Sequence, residues 1–418
     1  MPTITQDRQT INKMEILIIH QHYFPEMSGT ARRTKELAEC FIKMGHNVNV
    51  ITSYPRQFRS LPSGEASKYE IINNVKVNRI KTLFIIKKNV LFRMISYSEF
   101  VLKSLITALR ISRKSDIVIS IAPLSSGIIG ALVNIISKKH HHFDVPDILP
   151  DLGISAGMIS NKFLIKLLRR IESWVYVHAD SISTCTFGQL NNINQKGIPL
   201  KKLTCIPDWI DDSFFKLNLD KYYNHVSKLY GCPDKKIISF VGNIGALQNP
   251  TIFAEVMELF KLKDLHEYVF FFIGDGIMLT DIEEMVRIKK LDNIKFIGRV
   301  KREYIPALMK ISDVLVTNYV SDDHLALYIP GKLFEYAISK TPIVIGAKGD
   351  AKEFIEKYNL GLVVPPSNKN AFMDAIIKIS NGSYKYNPDT AQFTVDYSIE
   401  NIVKKYNKIF NKYINIQA

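Results

Sequence analysis

Cysteine is scarce in this 418-residue chain. There are four, Cys40, Cys185, Cys205 and Cys232, far apart and without a CxxC pair. That spacing argues against a disulfide framework or a zinc site and fits a reducing cytosol. Acid is also short, with 40 Asp and Glu against 55 Lys and Arg, a formal net charge of +15. Such an imbalance predicts an anionic partner: nucleic acid, a phospholipid surface or a phosphorylated substrate. No recognisable nucleic-acid motif accompanies the charge, so nucleic acid is set aside. Residues 1–13 lack an apolar core, so no signal peptide is expected, and Met14 reads as an alternative start. Long uncharged runs are rare. Ile117–Ser137 is one, roughly the span of a bilayer. β-branched residues crowd its first part and a Pro-Leu-Ser-Ser-Gly turn interrupts it, so a buried strand and a packed helix are predicted instead. No repeat of 20–50 residues is visible.

What is present is ample core material. Hydrophobic residues make up 46% of the chain, and the length suggests two or three domains. Strands are predicted at 15–20, 48–52, 75–80, 116–121 and 180–185, with helical patterns such as 31–45 between them. The pattern restarts with strands at 236–242, 268–274, 293–298, 313–318 and 341–346, most ending at a glycine. A polar, Tyr/Lys/Asn-rich stretch, 216–235, reads as the linker region, and 398–414 as an amphipathic helix. The fold class is therefore α/β: two successive Rossmann-like, doubly wound parallel sheets. Parallel open sheets take ligands at the carboxyl ends of their strands, so two of them are expected to face a central cleft.

Several stretches could carry chemistry. In "YIPGKLFEYAISKTPIVIGAKGD", Pro330 suits a helix start, Gly331 allows close approach, and Lys332 with the helix amides forms an anion site. Leu333 follows in the same turn. Glu335 lies about one turn further in, where it could accept from sugar hydroxyls. The same stretch also fits an ordinary surface loop and capped helix. "FVGNIGALQNP" places Gly242, Asn243 and Gly245 just after a strand, "FIGDG" repeats the theme with Gly274, and "FIGRV" offers Arg299 as a second cation or a solvated loop arginine. In "HQHYFPEMSGTARR", Ser28, Gly29 and Thr30 would open a helix. His20 and His22 tempt a metal reading but lack matching acidic partners. In "FDVPDILPDLG", Asp147 and Asp151 could accept a proton or bind a hydroxyl, or simply cap. "KKHHH" reads as a solvated basic loop, and Asp322–Asp323 as a flexible one. From Arg79 to Lys114 nine Lys and Arg face one acid, Glu99, with apolar residues interleaved. That composition suits an anionic membrane surface, with Lys87, Lys88, Phe92, Arg93 and Lys103 in contact. Core-packed helices with snorkelling lysines would look similar.

The ordered set "HYFPEMSGTARRTKELAECFIKMGHNVNVIT", "VPDILPD", "FVGNIGALQN", "FIGDG", "FIGRVKREYIPALMKISDVLVT" and "PGKLFEYAISKTPIVIGAKGD" covers nearly all the chain. It resembles retaining GT-B glycosyltransferases of the family-4 type, nearest the colanic-acid and O-antigen fucosyl- and N-acetylfucosaminyltransferase branch. The resemblance implies a domain at 14–208 for the acceptor, a nucleotide-sugar domain at 209–394, and a helix at 395–418 crossing back onto the first. It implies Gly29 and Thr30 against the donor phosphates and Asp147 facing the sugar. Lys332 and the backbone after Pro330 would hold the diphosphate, and Glu335 the ribose. The implied activity is metal-independent hexosyl transfer, without a cofactor, from a UDP- or GDP-sugar to a lipid-pyrophosphate-linked saccharide at the cytoplasmic membrane face. Three positions depart from the pattern. Leu327 stands where many relatives carry a second glutamate. The loop Gly245–Gln248 lacks their Arg and Lys, which would leave more of the diphosphate charge to Lys332, Arg299 and helix ends. Asp208 replaces a common Asn, a minor interdomain change. The rival readings are a nucleotide-sugar 2-epimerase of the same fold and a non-catalytic, membrane-associated partner.

Overall fold

A computed structural model describes residues 13–26, 29–55, 67–82, 90–155, 157–210 and 219–414. The chain divides into two compact units. Unit 1 holds residues 1–185, 189–208 and 399–418, and unit 2 holds 186–188 and 209–398.

Unit 1 is built on an eight-stranded sheet. Its strands are β1 (Glu15–Ile19), β2 (Asn47–Ser53), β3 (Tyr69–Ile72), β4 (Val75–Ile80), β5 (Ile117–Ile121), β6 (His140–Val145), β7 (Ser181–Thr184) and β8 (Leu203–Cys205). They lie in the order β3-β4-β2-β1-β5-β6-β7-β8, and only β3 runs antiparallel. Central parallel strands are buried on both faces and need apolar side chains all along. β1 and β5 meet that demand with EILII and IVISI. Helices α1 (Gly29–Lys43), α2 (Val90–Ser112), α3 (Leu124–Ser137), α4 (Asp151–Ser155), α5 (Lys162–His178) and α6 (Phe187–Gln195) connect the strands. Gly45, at φ +93, lets the chain turn out of α1, as a residue with a side chain would not.

The uncharged run resolves into β5 and α3, and among the described residues no helix is long and apolar enough to cross a membrane. One expectation fails outright. "KKHHH" is no solvated loop, because His140, His141 and His142 open β6 between β5 and β7, and all are buried. Serine hydroxyls meet them: Ser120 Oγ lies 2.6 Å from His141, and Ser181 and Ser183 lie 2.9 Å from His142. Burial disfavours the charged imidazole and lowers His140 to about 4 and His141 and His142 to about 3. Neutral histidines can occupy a strand that a run of cations could not.

Unit 2 carries a six-stranded, all-parallel sheet in the order β11-β10-β9-β12-β13-β14. The strands are β9 (Lys236–Val241), β10 (Tyr268–Ile273), β11 (Ile294–Gly298), β12 (Val314–Asn318), β13 (Ile343–Gly346) and β14 (Gly361–Val364). Its helices are α7 (Leu219–Tyr230), α8 (Thr251–Leu262), α9 (Leu279–Ile288), α10 (Ile305–Lys310), α11 (Lys332–Ser339), α12 (Gly349–Lys357), α13 (Lys369–Ser380) and α14 (Thr390–Asp396). α7 occupies much of the stretch read as linker. Separate hydrophobic clusters cover the two sheet faces, one around Phe271, Leu315 and Tyr336, the other around Phe253, Phe270 and Phe372. The last helix, α15 (Ile399–Ile414), belongs to unit 1. Tyr406 and Phe410 of α15 set their rings 6.0 and 5.8 Å from Phe41 of α1 and 5.6 and 6.0 Å from His142.

Candidate active site

In unit 2 the strand order reverses at β9 and β12, the place where an open parallel sheet leaves a crevice. Most of the donor-site residues expected from the sequence gather at this edge. Gly242 follows β9 at φ +129, and Gly274 follows β10 at φ +138. The Gly242 amide donates to the Ile273 carbonyl at 2.9 Å, and the Gly274 amide to Gly298 at 2.9 Å, so three loops are stitched side by side. A Cβ on Gly274 would run into the Gly242 carbonyl. Both glycines are therefore required by conformation, and Gly274 by space as well.

α11 begins beside them. Gly331 caps it and Pro330 precedes the cap, two positions before the first helical residue rather than in the first turn. The Leu333 and Phe334 amides turn back to the Pro330 and Gly331 carbonyls at 2.9 and 3.2 Å. Lys332 points its ammonium inward. Its Nζ sits 4.1 Å from the Phe240 ring centroid and 3.3 Å from where a Cβ on Gly242 would lie. It is buried and has no hydrogen-bond or ion-pair partner among the described residues. Burial lowers it to about 7, which Glu335 partly opposes. A buried cation with no counter-charge is costly, and the deficit suits a ligand that brings negative charge.

Glu335, one turn along, is partly exposed, with the Arg302 guanidinium 4.0 Å away. Arg302 was not singled out from the sequence. "FIGRVKREY" offers three cations, and nothing in the string ranks them. Arg299 instead lies 84% exposed and pairs with Asp275 of "FIGDG" at 3.2 Å. The Leu333 side chain is fully buried in the core, so only its backbone borders the site. Asn243 is exposed in the loop after β9, and Gly245 is buried. Asp322 is not idle: its carboxylate accepts from the His324 and Leu325 amides at 2.9 and 3.0 Å, capping a short turn.

In unit 1, Gly29 and Thr30 open α1, Gly29 exposed and Thr30 partly so. Ser28 lies outside the described residues. Asp147 is half-buried, two residues past the end of β6. Burial and the nearby Asp208 push its carboxyl up to about 6, against the pull of Arg33. Asp151 is committed elsewhere, accepting from Lys196 Nζ at 2.7 Å. His22 does find an acid, since its Nδ1 lies 2.6 Å from Glu26, which corrects the expectation that no acidic partner is near. Among the described residues no group of three or more His, Cys, Asp or Glu is placed to hold a metal ion.

The membrane-contact expectations fall unevenly. Lys87 and Lys88, and the side chains of Phe92 and Arg93, lie outside the described residues. Lys103 is exposed but pairs with Glu99 at 2.5 Å. Arg79, counted with that stretch, is buried and bonds Glu70 and the Phe24 carbonyl.

Two successive Rossmann-like units are the architecture of the GT-B fold. Comparison with known proteins agrees. Residues 27–214 match the model of Glycosyltransferase Family 4, and residues 230–392 that of Glycosyl transferases group 1. The chain is a glycosyltransferase of this family-4/group 1 type. It is 24% identical over 355 residues to WcaI of Escherichia coli (strain K12), named for a role as glycosyl transferase in colanic acid biosynthesis, covering 82% of this chain and 84% of that one. Sucrose-phosphate synthase from Thermosynechococcus elongatus shares the fold, with a TM-score of 0.74 at 15% identity over 97% of this chain and 100% of that one. Anabaena HepE in complex with UDP and glucose does so with a TM-score of 0.69 at 15% identity, over 95% and 99%.

Proposed function

We propose that the chain transfers a hexose, with retention and without a metal, from a UDP- or GDP-sugar to a saccharide on a lipid-pyrophosphate carrier. The product would enter surface polysaccharide synthesis, as O-antigen or capsule. The carrying observation is the Lys332 ammonium at the start of α11, buried and without a hydrogen-bond or ion-pair partner among the described residues. The barrier to transfer is departure of a nucleoside diphosphate, which leaves behind a cation-like sugar. Preorganised positive charge at the leaving group lowers that barrier, and Lys332 with the helix start supplies it. In this reading Glu335 accepts from the ribose hydroxyls and Asp147 faces the transferred sugar. The acceptor hydroxyl attacks on the face the diphosphate leaves, and its proton passes to the departing phosphate. A UDP complex of a protein with the same fold supports the donor class, and a relative named for colanic acid biosynthesis supports the polysaccharide setting.

The acceptor reading places the chain at the inner face of the plasma membrane. α2 favours this, because Ile95, Leu102 and Ile106 are exposed along one stripe that continues to Arg110 and Arg113.

The test is a panel of UDP- and GDP-sugars, with and without lipid-pyrophosphate saccharide acceptors, followed by mass spectrometry. A new glycosidic product with one donor is expected. An acceptor-independent isomer would replace the reading with an epimerase. No product from a panel covering the natural pair would point to a non-catalytic partner.

A further inference from the structure

α5 opens with KFLIKLLRR, five apolar residues and four cations without an acid. The second half of the helix is anchored in unit 1, where Glu172, Val175 and Tyr176 are buried. The first half is not. No residue from 162 to 170 is buried, and Phe163 and Leu167 stand 78% and 40% exposed. Those two lie one turn apart on one face, beside a row formed by Lys162, Lys166 and Arg170. The three cations are exposed and make no ion pair among the described residues. Arg169, the fourth, pairs with Asp151 at 3.4 Å. The open side of the half-helix thus has an apolar edge largely in water and a basic edge without counter-charge. Neither contributes to the fold.

Its place in the fold gives the half-helix a direction. α2, α3 and α5 cover one face of the eight-stranded sheet, with α3 packed against both neighbours. α5 lies in the crossover from β6 to the parallel strand β7. It therefore starts at the carboxyl edge of the sheet and runs back along it. That is the edge at which open parallel sheets take ligands. The exposed stripe of α2 stands in the same helical layer, on the far side of α3.

We propose that the first half of α5 is a docking surface for an anionic phospholipid bilayer. Phe163 and Leu167 enter the acyl boundary, and Lys162, Lys166 and Arg170 reach the headgroup phosphates beside them. An acidic protein surface would answer the cations alone. A bilayer answers both edges, because its phosphate and acyl layers lie one above the other. The proposal rests on the membrane reading given above and goes beyond the stripe on α2. It fixes the bilayer at the edge of unit 1 where a lipid-borne ligand would enter.

The experiment is co-sedimentation of the full chain with vesicles of phosphatidylcholine, alone and mixed with phosphatidylglycerol. Wild type should partition into the mixed vesicles and hardly into the others. A cation near an anionic surface is worth about fivefold, so Lys166→Gln with Arg170→Gln should lower the partition coefficient about 25-fold. Phe163→Ser should lower it about tenfold. Lys228→Gln with Lys263→Gln removes the same charge from exposed sites in unit 2 and should change little. Equal losses in the two double variants would reduce the effect to net charge and overturn the proposal. Phe163→Trp adds a second readout, since brominated acyl chains should quench the added emission. Unquenched emission from vesicle-bound protein would overturn the insertion of Phe163. The two ideas can fail separately. No binding by wild type to either vesicle would sink the membrane reading as a whole. Binding that survives the α5 changes would sink this surface alone.

Discussion

The two units treat buried charge in opposite ways. In unit 1 the Arg33 guanidinium is saturated by Asp144, Asp208 and Tyr406. In unit 2 the Lys332 ammonium is buried over an aromatic ring with no hydrogen-bond or ion-pair partner among the described residues. A paired buried cation is part of what holds a fold together. An unpaired one works against the fold and becomes favourable only when a ligand supplies the counter-charge. On the donor-site reading we propose for Lys332, the difference separates a cation that holds the fold from one kept for a ligand.

The sharpest way to break that comparison is to remove each cation in turn. Arg33→Met would leave Asp144 buried without its partner, and such a loss costs about 3–5 kcal/mol. Urea unfolding of the variant should show it as a large drop in midpoint. A wild-type midpoint would mean that Arg33 is dispensable to the fold. Lys332→Met removes a charge the apo protein gains little from, so its urea midpoint should hold or rise slightly. Its cost should appear in binding, with UDP affinity falling by about 30- to 100-fold, the value of a lost charge-assisted contact. Titration calorimetry with UDP decides this. Unchanged affinity would remove Lys332 from the donor site.

A smaller effect follows from pH. In the folded protein Lys332 loses its proton near 7 rather than at 10.5. A bound diphosphate favours the ammonium, so binding above that pH must draw in a proton. UDP affinity attributable to Lys332 should therefore be level below about pH 7 and weaken by up to about tenfold per pH unit above it. Lys332→Met serves as the baseline, because UDP has ionisations of its own. Parallel curves for variant and wild type would show that Lys332 does not titrate in this range. The apo protein should gain stability over the same window. The folded pKa lies below the unfolded one, so the unfolded chain binds more protons between 7 and 10.5.

How far the sequence was legible depends on the kind of signal. The strands of unit 2 were readable because buried parallel strands are near-continuous apolar runs, and β10 is YVFFFI. The helix that starts at Lys332 was readable because proline and glycine precede it, but the burial of its ammonium was not. β6 was misread, since three histidines after two lysines look solvated until two flanking strands neutralise them. Arg33 passed unremarked because an arginine in a helix usually reaches water, and its partners lie 111, 175 and 373 residues away. Arg302 could not be told from Arg299 because the choice depends on how the chain turns after β11. The misses share a cause: each depends on contacts between distant segments, which a local pattern does not encode.

The mildest prediction probes whether unit 1 is saturated, as the comparison requires. Tyr406→Phe removes one hydroxyl from Arg33 and leaves the ring packed against Phe41 and His142. Arg33 would retain both bonds to Asp144 and its bond to Asp208. A single hydrogen bond among several is worth about 1 kcal/mol, so the urea midpoint should fall only slightly. UDP affinity should hardly change, because Lys332 and Glu335, the side chains proposed to hold UDP, belong to unit 2. A loss as large as that of Arg33→Met would mean that the hydroxyl, and not the carboxylates, holds the guanidinium in place. The cluster would then depend on α15 for its integrity, and Arg33 would be less securely paired than its three partners suggest.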